Sequence, residues 1–210
     1  DPVVAVGIGF VAFVVALLVQ FSRHRYVAAA YWFAVVMVGV FGTMAADVLH
    51  VGFHVPYVAS SVLYAVVLAA VFVAWQRTEN TLSFHDIDTT RREAFYWAAV
   101  VATFAMGTAV GDLTAVTLHL GYLGSMALFA GLMLVPAVSY RLGANAVLCF
   151  WTAYVLTRPL GASFADWVGK PRALGGLGFG EGPMALVLSA AIVVLVAYLA
   201  VTRRDVPERA

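Results

Sequence analysis

Long apolar runs divided by short polar breaks set the pattern of this chain. A membrane-spanning helix needs about 20 consecutive, mostly apolar residues. Seven stretches meet that requirement: roughly 2–22, 27–48, 56–77, 93–115, 119–141, 144–166 and 182–203. The pattern predicts an all-α polytopic membrane protein with seven transmembrane helices in one domain over 1–210. Most breaks are brief, such as "SRHRY" between the first two spans and "RLGAN" between the fifth and sixth. The one strongly polar connection is "TENTLSFHDIDTTRRE" (78–93). It ends in Thr90-x-x-Glu93, a capping-box pattern that predicts the start of the fourth helix. The connection "WVGKPRALGGLGFGEG" (167–182) is rich in glycine, but no strand precedes it and its spacing is not a nucleotide fingerprint. It reads as a loop, with a lid or re-entrant segment as the alternatives.

Composition strengthens this picture. The chain is 63% hydrophobic and 11% charged, with a mean hydropathy of +0.95, whereas soluble domains carry about 25% charged residues. So few charges cannot cover a water-facing surface, which makes the lipid bilayer the main partner. The net charge is +1, with no basic patch interleaved with aromatics, so nucleic acid is excluded as a partner. The lone Cys149 excludes an internal disulfide and a cysteine metal cage. Residues 3–21 lack a preceding basic stretch and are not read as a signal peptide.

The basic residues orient the spans. One side receives Arg23, Arg25, Arg77, Arg91, Arg92, Arg141, Arg203, Arg204 and Arg209, and the other only Lys170 and Arg172. The positive-inside rule predicts a cytoplasmic C-terminus and places the N-terminus of this chain outside.

Three of the spans repeat one another. In "YWFAVVMVGVFGTMAAD", "YWAAVVATFAMGTAVGD" and "FWTAYVLTRPLGASFAD", Trp32, Trp97 and Trp151 precede Gly42, Gly107 and Gly161 by ten positions and Asp47, Asp112 and Asp166 by fifteen. Each unit adds a second, blander helix that ends in basic residues. Units of two spans point the same way, so they form parallel repeats about an axis along the membrane normal. The first span matches the second helix of such a unit. The expected division is therefore 1–26, 27–92, 93–143 and 144–210, with 1–26 half a repeat and eight helices in the complete protein.

"REAFYWAAVVATFAMGTAVGD" and "FWTAYVLTRPLGASFADW" resemble the third and fourth repeats of a bacterial family of uncharacterised membrane-anchored proteins. That family is built of four tandem two-helix repeats of unknown function with a characteristic tryptophan. The resemblance covers essentially the whole chain and implies a multi-pass protein of the bacterial inner membrane. It implies no substrate.

Candidate chemistry comes from the polar face of the repeat. On a helical projection Thr108 lies about 20° and Asp112 about 60° from Trp97, bordered by Gly107 and Gly111. The small-xxx-small pairs Gly42/Ala46, Gly107/Gly111 and Gly161/Ala165 favour close helix approach. The aspartates are expected near the external ends of their spans, about 22 Å from tryptophans that sit in an interfacial belt. An ionised acid inside a membrane costs a few kcal/mol and marks a functional position by default. Asp47, Asp112, Asp166, Thr43, Thr108 and Ser163 are therefore candidate ion-pathway residues, against a bland reading in which they lock helix ends. Arg158, seven residues beyond Trp151, is expected to pair with one of the aspartates, and Pro159 to free a carbonyl beside it. His50, His54 and His119 follow the aspartates and suggest a zinc-, manganese- or iron-like ion, provided the helix continues through Gly52. The loop cluster His85, Asp86 and Asp88 reads as solvated.

These features point to a small transporter or channel for an inorganic ion, a divalent metal cation first. The alternative is a non-transporting scaffold or accessory subunit. No H-E-x-x-H, G-x-S-x-G or nucleophile–base pair argues for an enzyme. The cofactor is unknown. Retinal is not expected, because the sole lysine, Lys170, lies in a loop. No two of the five histidines pair evidently across spans as haem ligands would. A homo-oligomer is left open.

Overall fold

The computed structural model describes residues 2–23, 26–85 and 87–203. Arg25, Asp86, Arg204 and Arg209 of the patterns above lie outside the described residues. Helices α1 (Pro2–Phe21), α2 (Ala28–Asp47), α3 (Tyr57–Glu79), α4 (Thr90–Asp112), α5 (Gly121–Leu132), α6 (Leu134–Arg141), α7 (Ala146–Gly169) and α8 (Glu181–Thr202) follow in order. Among the described residues there is no strand. α5 and α6 make one span, broken at Met133 because Pro136 has no N–H to offer the carbonyl of Leu132. The seven helical spans coincide closely with the seven apolar stretches. Six are long and apolar enough to cross a membrane on length and composition alone. α7, which carries Arg158, Pro159 and Asp166, is the exception.

Local chemistry sets the helix ends. The Thr89 hydroxyl accepts from the Arg92 amide at 3.3 Å, so α4 is capped one residue before the expected Thr90. Glu93 takes no part in that cap; its carboxylate turns to another helix. The Asn145 carboxamide oxygen accepts from the amides of Val147 and Leu148 at 2.9 and 3.1 Å and starts α7. The glycine-rich connection is an ordered cap. Its amides at Leu177, Phe179 and Gly180 bond the carbonyls of Trp167, Val168 and Gly169 at the end of α7. Gly176 passes so close to the Lys170 carbonyl that no side chain fits.

α4 is the axis of the packing and touches α2, α3 and α7. Lipid supplies no hydrophobic drive between helices, so association depends on close van der Waals fit. α4 accordingly buries small residues along its length, including Ala99, Ala102, Ala105, Gly107, Ala109 and Gly111. A Cβ on Gly42 would lie 2.6 Å from Phe104 Cβ, and one on Gly107 would overlap Arg158 Cβ. Phe104 and Arg158 occupy the same place in successive repeats, seven residues past the tryptophan. Each glycine thus receives the equivalent residue of the following repeat. The second helix of one unit also packs on the first helix of the next: α1 on α2, α3 on α4, α5 and α6 on α7. Gly161, the third of the set, meets nothing within 4 Å among the described residues, and α8 has no buried residue.

The signature tryptophans differ from the expected interfacial belt. Trp97 and Trp151 are 2% and 5% exposed inside the bundle. Trp151 donates to the Leu82 carbonyl at 2.9 Å and Trp97 to Glu93 at 3.3 Å. Trp151 thereby ties the long polar connection to α7, whereas Trp32 is half-buried and its indole N–H has no acceptor among the described residues.

The Gly107 contact has a measurable consequence. Gly107→Ala should lower stability by about 1–3 kcal/mol through overpacking, read as a lower unfolding temperature in detergent. Gly161→Ala, at the equivalent open position, should leave it unchanged or raise it.

Candidate functional site

The three aspartates are delivered to one end of the bundle from α2, α4 and α7, and they are close enough for Asp112 to feel the charges of both Asp47 and Asp166. Asp47 and Asp112 do not end their spans. Each is followed at once by a π-helical turn, Val48–Gly52 and Leu113–Thr117, which carries the helix five residues further. π-turns inside helices recur at functional positions. Asp166 precedes the last turn of α7, and its carbonyl accepts from the Lys170 amide at 2.9 Å.

Lys170 is the residue that pattern reading passed over. Its ammonium donates to Glu181 at 2.7 Å, lies 3.9 Å from the Asp166 carboxylate, and acts electrostatically on Asp47 and Asp112. It sits outside the spans, on the glycine-rich cap. The hydrogen bond to Glu181 raises its pKa above 10.5, against a smaller opposing effect of burial. Tyr57 and Tyr122, at equivalent places in two repeats, complete the cluster: Tyr57 lies near Asp112 and Asp47, and Tyr122 near Asp166 and Asp112. The repeated "H-x-x-Y" (His54–Tyr57 and His119–Tyr122) was the signal that could have revealed them.

Deeper in the bundle the Thr43 and Thr108 hydroxyls face each other at 3.4 Å. Thr43 and Asp47 are exposed, while Thr108, Asp112 and Asp166 are half-buried. Ser163 is 2% exposed and its hydroxyl has no hydrogen-bond partner among the described residues; it packs beside Gly111, next to Asp112. The polar face therefore runs from the threonine pair to the aspartates.

Two expectations are corrected. Arg158 pairs with no aspartate among the described residues: its guanidinium lies 3.8 Å from the Phe104 ring centroid and 4.7 Å from that of Tyr154. It is two helical turns, about 12 Å, from Asp166, beyond side-chain reach, and aromatic faces hold it instead. The histidines do not gather either. The helix stops at Gly52, and His54 and His119 both adopt left-handed backbone, φ 56°, in the exposed connections. His50 is stacked on Tyr57, with Nδ1 2.9 Å from the Val55 carbonyl. Among the described residues no group of three or more His, Cys, Asp or Glu side chains is placed to hold a metal ion.

The interlocked repeats have a counterpart in known sequences. The pattern of a Repeat of Unknown Function (DUF347) matches residues 30–81, 95–142 and 149–205. The chain belongs to the DUF347 family. No curated protein matches it, and neither does any solved structure. It is a multi-pass, all-helical membrane protein built from internal repeats of unknown function.

Lys170 gives this end of the molecule a pH signature. A raised folded pKa means that its stabilisation is complete below about 10.5, the unfolded lysine value, and is lost as pH rises through the folded value. Lys170→Met should therefore lower the unfolding temperature by a constant amount between about pH 7 and 9, with the gap to wild type closing above about pH 10.5. Thermal unfolding in buffered detergent across that range checks it.

Proposed function

We propose that this protein is a small transporter or channel for an inorganic cation, with Asp47, Asp112 and Asp166 as its selective site and the Thr43–Thr108 pair on the route to it. What supports the reading is that three repeat-equivalent carboxylates share one end of the bundle with a lysine ammonium that lies 3.9 Å from Asp166 and acts electrostatically on Asp47 and Asp112. Lys170 is a tethered cation: the ordered cap holds its backbone and Glu181 its ammonium, so an incoming ion would have to compete only with its side chain, 3.9 Å from Asp166. Carboxylates and hydroxyls are hard oxygen ligands and, with the histidines dispersed, they suit a divalent ion of the magnesium or manganese kind better than zinc. By charge asymmetry of the connections this end faces outside. The close approaches at Gly42 and Gly107 favour a second reading, a scaffold in which the polar stripe only fixes helix contacts.

Proteoliposome uptake of Mg2+, Mn2+, Ca2+ and Zn2+ separates the two. Transport predicts uptake of a hard divalent ion that falls about tenfold or more in Asp112→Asn, a loss of ~1.4 kcal/mol or more. Lys170→Met should increase ion affinity. No uptake of any ion, with Asp112→Asn merely less stable, would support the scaffold.

A further inference from the structure

A polar cavity of about 580 Å3 opens at the tryptophan end of the bundle, opposite the aspartates. Its walls include Tyr31, Tyr96, Trp97, Phe150, Gln20 and Glu93. Glu93 is the acid that the capping-box pattern assigned to a helix start. It instead reaches across to α1, where Oε1 accepts from Gln20 Nε2 at 2.9 Å and from Trp97 Nε1 at 3.3 Å. Its second oxygen, Oε2, accepts nothing from the described residues. The carboxylate can only accept, so it forces the Gln20 carboxamide to present its NH2. That leaves Gln20 Oε1, on a side chain 9% exposed, as a buried acceptor without a donor. The inner end of the site thus carries two acceptors without donors among the described residues, Glu93 Oε2 and Gln20 Oε1, beside the partly exposed rings of Tyr31 and Phe150.

Among the described residues, no cation forms an ion pair with Glu93. Asp88 is already paired with Arg92 at 3.0 Å. Arg23 lies exposed at the rim, where solvent and salt screen it. Partly exposed rings beside a carboxylate that no cation among the described residues pairs suit a cation that also carries N–H donors and an apolar body: the rings attract its charge, and the carboxylate takes its hydrogens.

We propose that this cavity binds a small organic ammonium compound, with Glu93 as its counter-charge and the partly exposed rings of Tyr31 and Phe150 as its aromatic walls. This site is separate from the aspartate cluster and does not rest on the ion-transport reading. Binding of benzylammonium to the purified full chain, followed by tryptophan fluorescence and thermal shift, tests it against benzyl alcohol, a neutral ligand of similar shape. Saturable binding of benzylammonium is expected, at least about tenfold weaker for benzyl alcohol and for Glu93→Gln. Tyr31→Leu should weaken it several-fold, and Asp112→Asn should leave it unchanged. Equal affinity for the neutral ligand, undiminished binding to a folded Glu93→Gln, or no saturable binding to the wild type would overturn the proposal.

Discussion

The structure depends on one repeated steric constraint: at Gly42 and Gly107, ten residues past Trp32 and Trp97, the next repeat's helix is seated against a glycine. In lipid, helices gain little from burying apolar surface, so the fit of side chains into gaps decides how they associate. Gly42 admits Phe104 and Gly107 admits Arg158. These contacts fix both the spacing and the rotation of α2, α4 and α7. The aspartates lie five residues beyond the glycines on the same helices, so the close seating at Gly42 and Gly107 holds the ends of α2, α4 and α7 that carry them at a fixed spacing.

The two ends of the bundle then acquire different chemistry. At the aspartate end, the acids stand on rigid helices while their counter-cation, Lys170, stands on a loop that caps α7. Glu181 anchors that lysine, and the loop's amides satisfy the last carbonyls of the helix. At the tryptophan end an acid lies between helices instead: Glu93 accepts from Gln20 and Trp97, beside Tyr31 and Tyr96, whose hydroxyls join at 2.5 Å. Arg158 lies between the ends, over the rings of Phe104 and Tyr154.

Much of this was legible in the sequence, for identifiable physical reasons. The spans are set by the thickness of the hydrocarbon layer, so their length and apolarity betray them directly. The Trp–Gly–Asp spacing was legible because helix geometry converts spacing into position. What failed depended on partners from elsewhere in the chain. Glu93 matches a capping box, but Thr89 caps the helix and Gln20 captures the carboxylate. Arg158 shares a helical face with Asp166 in projection but lies two turns away along the axis. The histidines sit at tempting intervals, yet the chain leaves the helix between His50 and His54. Lys170 appeared to be an ordinary loop residue because nothing in its neighbourhood shows that the loop folds back over the aspartates.

The central claim is that the polar face from the threonine pair to the aspartates is a wet, ion-accessible path. Thr108→Cys in a Cys149→Ser background tests it most directly, with a membrane-impermeant thiol reagent applied to oriented vesicles. The account predicts that the new cysteine reacts from the aspartate side and that Mg2+ or Mn2+ slows the reaction. A cysteine that stays inert from both sides, while one placed at exposed Leu118 reacts, would show a dry helix contact and contradict it.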